Sequence, residues 1–542
     1  MPFTINEFTG PIVEHWQARK GNLVVNAVAG SGKTTLLEYL CSMMSPEEQK
    51  VSIFVAFNRH IVDELKQRLP AGVQVKTINS LGGSILNSVL WPIKTDIPGY
   101  KYRELVDQYC TSHIPDGLPE DERRTPTDVK QAIVTLVEKS MCTLSDYHNA
   151  DVLEKLVSRF NVEIDPPSGY VAPVNGDLWD FVYRAVPVII DNAILEIRTA
   201  LRNKDLYAKQ QGDSKLILDF IDQIYMPIAL KLRIPNRYQF RNILVDESQD
   251  LNPAQRELIL MCCAEGARTC WVGDRKQAIY AFAGADSASI DRIIEMTGAT
   301  EMPLSVCWRC PTSHIAAVQP LVPQIQAAPT AIAGIEDEIT HEKLATTVKI
   351  GDTIMCRCTA PLVEVAFDLI RKGLPAKVKG RDIGKSLTAI LKRIEKMPGF
   401  KSADFAEEFL NYLKQYEDRA AQGIRSNNKY PDMLLQALED KCATIEHIFH
   451  KVDEECCAHN LASIEAEIER IFADAIDGRC VQLCTIHKAK GLQGPRMFII
   501  RPDLLMHKMA KSAEEIQQER NLAYIAMTRS QEYICWVKPP PL

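Results

Sequence analysis

Leu23-Val24-Val25-Asn26-Ala27-Val28-Ala29-Gly30-Ser31-Gly32-Lys33-Thr34-Thr35 is the stretch from which the rest of the chain can be read. An apolar run from Leu23 to Val28 gives way to the small residues Ala29 to Gly32. Apolar residues then recur at helical spacing from Lys33 to Met44. Strand, glycine-rich loop and helix in that order begin a phosphate-binding unit. Apart from Ala27 at the first glycine position, the run fits the phosphate-loop pattern. Gly30 and Gly32 let backbone N–H groups approach phosphate oxygens, Lys33 can reach the β and γ oxygens, and the Thr34 hydroxyl can ligate Mg²⁺. Ala29, Ser31 and Thr35 complete the expected nucleotide contacts.

Working outward, Ile53 to Phe57 reads as a buried strand, His60 to Leu69 as an amphipathic helix and Val73 to Ile78 as another strand. Strands and helices alternating at this length predict a parallel sheet with helices on both faces. From Gly83 to about Lys215 the pattern changes to longer helices broken by Pro115, Pro119, Pro166 and Pro167, which reads as an inserted helical domain. Alternation resumes at Asn242 to Glu247 and Thr269 to Gly273. A second set of strands is expected at Asp352 to Arg357, Val481 to Ile486, Met497 to Arg501 and Tyr533 to Val537, around a helical block from about Lys385 to Asp477. The expectation is two α/β cores, each carrying a helical insertion.

The strand Asn242-Ile-Leu-Val245 delivers Asp246 and Glu247 to its carboxyl end. Beside a phosphate loop, Asp246 is the expected metal ligand with Thr34, and Glu247 the candidate base for an attacking water.

Composition bounds the remaining choices. The 542 residues are 46% hydrophobic and 25% charged, a globular balance, and a chain this long implies several domains. No apolar run of signal-peptide length stands in the first twenty residues and none is long enough to span a bilayer, so a soluble cytoplasmic protein without membrane contact is expected. The 16 cysteines are scattered, and Cys307-x-x-Cys310 and Cys356-x-Cys358 read as reduced thiols rather than a metal site. The net charge of -7 argues against a nucleic-acid coat protein bound by overall charge. Local charge differs: Ile370 to Lys401 holds ten basic residues against Asp382 and Glu395, a plausible phosphate-tracking face. Asp432 to Gly478 holds 12 acidic residues against three basic ones, which reads as a solvated helix face.

Val272-Gly-Asp-Arg-Lys-Gln277-Ala-Ile-Tyr280-Ala-Phe282-Ala-Gly-Ala285 closely resembles the third motif of UvrD/Rep-type superfamily 1 (SF1A) helicases, and the resemblance runs through most of the chain. Ala56-Phe57-Asn58-Arg59 and Thr77-Ile-Asn-Ser80-Leu81-Gly82 are similar to the family's early DNA-contacting segments, and Asp219-Phe220-Ile-Asp222 to the segment before the acidic motif. Leu304-Ser-Val-Cys-Trp308-Arg309-Cys-Pro311 resembles motif IV, Thr485-Ile-His487-Lys-Ala-Lys490-Gly491-Leu-Gln493 motif V, and Glu519-Arg-Asn-Leu-Ala-Tyr524-Ile-Ala-Met-Thr528-Arg529 motif VI.

The resemblance implies two RecA-like domains. The first would be 1–82 with 216–300, carrying a helical insertion at 83–215. The second would be 301–384 with 479–542, carrying a short one at 385–478. It implies ATP and Mg²⁺ as cofactors, Arg309 and Arg529 as arginine fingers, and Gln277 as the γ-phosphate sensor. Trp308 would stack on adenine, and Gln493 would stand at the nucleotide. Phe57, Asn58, Thr77, Tyr280, Phe282 and His487 would hold nucleic acid. Aromatic stacking gives such a motor a sequence-tolerant grip. The implied activity is an ATP-dependent motor on single-stranded and partly duplex DNA, with 3′ to 5′ polarity, in replication, repair or recombination. It would act in the cytoplasm, at the nucleoid or, for a viral protein, in the host, alongside unidentified replication or repair proteins. RNA is the less expected strand. Ala283 replaces a usual Arg, Gln493 a usual Glu and Asn79 a usual His, and no clean counterpart of the adenine-reading Gln precedes the loop. These departures keep a second reading open, an ATP-gated remodeller that displaces proteins or recruits a partner without unwinding.

Overall fold

The computed structural model describes residues 5–113, 125–160, 162–164, 178–212, 214–279, 288–400, 405–427, 432–455, 460–473, 479–505 and 513–539. The chain divides into two compact units. The first is chiefly Met1–Ala27 with Gly32–Leu304, the second Val28–Ser31, Ser305–Ser426 and Tyr430–Leu542.

The first unit is built on six parallel strands, in the order Gln74–Thr77, Ser52–Ala56, Phe240–Val245, Cys263–Gly273, Leu23–Ala27 and Thr300–Leu304. Its central strands are apolar along their length because both faces are covered. Leu23, Val25, Phe54, Leu244 and Val272 meet Ile12, Leu36, Leu40 and Leu65 on one face. Val24, Ile53, Val55, Ile243 and Trp271 meet Ile85, Leu258 and Ile290 on the other. Since the strands are parallel, the loop after Ala27 and the acidic pair after Val245 leave the same edge of the sheet. One strand stands between them, a separation of about 10 Å.

The helical part of this unit packs Lys101–Ser112, Thr127–Thr143, Ala150–Phe160, Leu178–Arg202 and Asp222–Ala229 around Val106, Ile133, Val137, Phe181, Ile190 and Ile197. Helix Ile78–Leu90 serves both cores, with Ile78, Leu81 and Ile85 toward the sheet and Leu86 and Leu90 among the helices. Its Gly82 is sterically required, since a Cβ there would stand 2.1 Å from the Gln223 carbonyl oxygen.

The second unit holds seven parallel strands, in the order Ile335–Thr340, Ser530–Lys538, Gly494–Ile500, Thr353–Cys356, Val481–Thr485, Ala376–Lys379 and Phe472–Ala473. Helices Ala360–Arg371, Arg381–Glu395, Phe405–Asn427, Asp432–Glu455 and Leu461–Ile471 pack on it through Leu362, Val365, Leu391, Phe409, Ile445 and Ile468. The Asp440 carboxylate accepts the Thr359 and Ala360 N–H groups at 3.0 Å, so helix Asp432–Glu455 caps helix Ala360–Arg371. The α/β class with two parallel sheets is the one expected. Strands Thr300–Leu304, Ile335–Thr340, Ala376–Lys379 and Phe472–Ala473 were not foreseen.

Candidate nucleotide site and nucleic-acid contacts

In the phosphate loop Gly30 (φ 66°) and Gly32 (φ 82°) take the left-handed backbone that glycine allows at no steric cost. Gly32 is the N-cap of helix Lys33–Ser42, so the first-turn N–H groups of Lys33, Thr34 and Thr35 face the loop. The Lys33 ammonium lies 3.9 Å from Glu247 Oε2, and the Thr34 hydroxyl donates to Asp246 Oδ2 at 2.7 Å. Four side chains predicted from two distant stretches therefore converge at one edge of the first sheet. Burial and the neighbouring Glu247 charge push the Asp246 carboxyl up to about 6. A divalent cation would reverse that balance. The donor set fits Mg²⁺: a hydroxyl and a carboxylate, both hard oxygens, within hydrogen-bond distance of each other. Ser31 adds a buried hydroxyl with no hydrogen-bond partner among the described residues.

The base candidate is held by residues that motif reading missed. Glu247 has φ 51°, a strained backbone for a non-glycine residue. Gln249 Nε2 donates to Glu247 Oε2 at 2.6 Å, and Gln249 Oε1 accepts the Asp274 N–H at 2.9 Å. Asp274 Oδ2 in turn accepts from Gln277 Nε2 at 2.8 Å. Glu247 and the proposed sensor Gln277 are thus joined through Gln249 and Asp274. Gly273 leaves room for this chain, since a Cβ there would stand 2.5 Å from Gln249 Oε1.

Within the second unit, Arg309 Nη1 donates to the Thr528 carbonyl at 3.2 Å, and its Nε is buried without a partner among the described residues. Arg529 is buried, and donates to the Ile525 carbonyl at 3.0 Å, the Leu492 carbonyl at 3.4 Å and Thr528 Oγ1 at 3.1 Å. Motifs more than 200 residues apart therefore bring both arginines to Thr528. The Trp308 N–H donates to the Gly30 carbonyl at 2.8 Å, while the Ala29 N–H is taken by the Tyr524 hydroxyl at 2.6 Å. Cys307 Sγ accepts the Cys310 N–H at 3.4 Å, and Cys310 Sγ donates to the Thr528 carbonyl at 3.6 Å. Gln493 is exposed just before strand Gly494–Ile500.

Among the nucleic-acid candidates, Phe57 is 44% exposed and so is not a core residue. Asn58 Oδ1 caps helix Arg59–Arg68 by accepting the Ile61 N–H, and Thr77 Oγ1 caps helix Ile78–Leu90 by accepting the Ser80 N–H. Each serves as a helix cap, whatever else it binds. His487 is half-buried, and burial with the nearby Arg357 guanidinium pushes its imidazole down to about 4, so it is neutral at physiological pH. Arg357 is itself bound by Glu519 through both carboxylate oxygens. Tyr280 and Phe282 lie outside the described residues.

The sequence pattern of the UvrD/REP helicase N-terminal domain matches residues 9–297, more than half of the chain. The chain belongs to the UvrD/Rep helicase family. DNA helicase II of Escherichia coli (strain K12) is 20% identical over 640 residues, covering 95% of this chain and 82% of that protein. ATP-dependent DNA helicase UvrD1 of Mycobacterium leprae is 25% identical over 288 residues, half of this chain and 33% of that protein. ATP-dependent DNA helicase Rep of Buchnera aphidicola is 27% identical over 285 residues, half of this chain and 38% of that protein. In these last two matches the family likeness spans well under half the relative's own length.

Proposed function

We propose that this family member is an ATP-dependent DNA helicase that hydrolyses ATP with Mg²⁺, moves 3′ to 5′ along single-stranded DNA and separates duplexes in DNA metabolism. The observation that carries the reading is the convergence of Lys33 on Glu247 and of Thr34 on Asp246 at one sheet edge. Lys33 and the loop N–H groups would hold the phosphates, and Thr34 and Asp246 the cation. That cation would neutralise charge on the transferred phosphoryl group. Glu247 would orient the attacking water and take its proton, and Arg309 and Arg529 would stabilise charge on the equatorial oxygens. The carboxylate belongs to the first unit and the arginines to the second. Phe57, Tyr280 and Phe282 would supply stacking surfaces. No helix among the described residues is long and apolar enough to cross a membrane, in keeping with action on DNA in the cytoplasm.

Steady-state ATP hydrolysis with and without single-stranded DNA tests the reading. DNA should stimulate turnover strongly, and Glu247→Gln should lose about 100-fold or more in kcat while still binding nucleotide. Undiminished turnover in that variant would remove Glu247 from the base role. Strand separation on duplexes tailed at either end then fixes polarity, and its absence would favour the remodelling alternative.

A further inference from the structure

Helix Arg381–Glu395 buries Gly384, Leu387, Leu391 and Ile394 against the second unit's core. A Cβ on Gly384 would stand 3.2 Å from Ile468 Cγ2, which fixes how closely the helix seats. At about 100° per residue, Arg381, Lys385, Lys392 and the C-cap Lys396 fall within ~60° of arc on the opposite side. All four are exposed. No carboxylate among the described residues pairs with Lys385, Lys392 or Lys396. The helix's two acidic residues leave the row open: Asp382 is taken by Lys488 at 2.6 Å, and Glu395 lies at the edge of the row, paired with none of the three lysines.

We propose that Lys385, Lys392 and Lys396 form a docking stripe for the phosphate backbone of duplex DNA. The inference rests on the helicase reading only for the identity of the polyanion. A solvated helix face is the ordinary fate of a charge run, but such faces normally interleave both signs. Here three unpaired cations stand in one row on a chain whose net charge is -7, and carboxylates crowd the segment that follows. From Lys385 to the C-cap Lys396 the three lysines span about 16 Å along an anchored helix. The row, completed by Thr388 and Ala389, holds no aromatic side chain, so it lacks the stacking platform that grips single strands. A row of point charges spaced along one helix suits a backbone of regularly spaced phosphates, and it reads no sequence. Three residues before Lys385, Asp382 binds Lys488, the sequence neighbour of the motif V candidate His487.

The test compares the full chain with the Lys385→Ala/Lys392→Ala/Lys396→Ala variant, whose changed side chains are exposed and leave the apolar face intact. Affinity for a blunt DNA duplex and for a single strand is titrated against salt. Duplex affinity should fall at least about 10-fold, and the slope of log affinity against log salt should become shallower by about 3. Single-strand affinity and single-strand-stimulated ATP turnover should stay unchanged, and a triple Lys→Arg variant should bind duplex like the parent. An unchanged duplex affinity and slope would overturn the proposal. So would an equal loss on single strands, or a dependence on the stripe seen with RNA duplex alone. If the parent showed no DNA-stimulated turnover the helicase reading would fail, while the salt comparison would still decide the stripe.

Discussion

Glu247 combines a left-handed backbone, strain of order 1–3 kcal/mol for such a residue, with a carboxylate steered by the 2.6 Å hydrogen bond from Gln249. Gln249 touches neither the loop lysine nor the cation ligands in any contact described above, so its part is to position. Gln249→Ala should lower kcat about 10-fold with KM for ATP little changed. A raised KM with intact kcat would place Gln249 at the nucleotide instead. The individual chemical groups of the site were legible because each sits in a motif whose spacing encodes its job. Gln249 was not, because in Glu247-Ser-Gln-Asp250 nothing local distinguishes a strut from a loop residue. Its role as a strut depends on its bond with Asp274, which is distant in sequence. His487 makes a different prediction. Its folded-state imidazole is held down near 4 against an ordinary 6.5, so the unfolded chain binds the extra proton first as pH falls. Its contribution to stability is present above pH 6.5 and is lost as the pH drops toward 4. Denaturant midpoints across that window should fall less steeply in His487→Asn. Parallel pH profiles in the two proteins would show that the imidazole is not protonated on unfolding there.

At the level of elements, helix Ala360–Arg371 starts on a residue from elsewhere in the chain. Thr359 makes no side-chain cap, and Asp440 of helix Asp432–Glu455 takes the two N–H groups instead. Asp440→Ala should cost about 1–2 kcal/mol, with Asp440→Asn recovering part of it, since both the hydrogen bonds and the charge at the helix N-terminus contribute. Chemical denaturation of the second unit checks this, and a loss under about 0.3 kcal/mol would mean that water replaces the carboxylate freely. Central strands such as Ser52–Ala56 were readable because burial on both faces writes itself as an unbroken apolar run. The strands that escaped notice lack that signature. Ile335–Thr340 is an edge strand, exposed at nearly every position, and owes its place to ladder bonds with Ser530–Lys538. Thr300–Leu304 is also an edge strand, contains Pro303 and is mostly exposed. Ala376–Lys379 alternates buried and exposed over only four residues, and Phe472–Ala473 is two residues long. These are too short for periodicity to register.

Across the whole molecule, the division into two α/β cores with helical insertions was visible in the order of strand-like and helix-like runs, whereas strand order was not. Strand neighbours are set by crossovers that leave no local trace in sequence. In the first sheet, Leu23–Ala27 lies between Cys263–Gly273 and Thr300–Leu304, and Ser52–Ala56 waits for Phe240–Val245. The helical core between them in sequence is closed by residues no later than Leu232. On a ribosome, then, the helical block can condense while the strand before the phosphate loop is still without neighbours. A nascent chain arrested once Leu232 has cleared the ribosome, with Cys263–Gly273 still enclosed or unmade, should protect the backbone amides of helix Thr127–Thr143 from exchange but leave Leu23–Ala27 open. Protection of both would mean that the early strands find a surrogate partner. The consequence reaches synthesis itself: the strand that leads into the phosphate loop is made long before the two strands that flank it, so a product truncated ahead of Cys263 cannot complete the sheet beneath that loop.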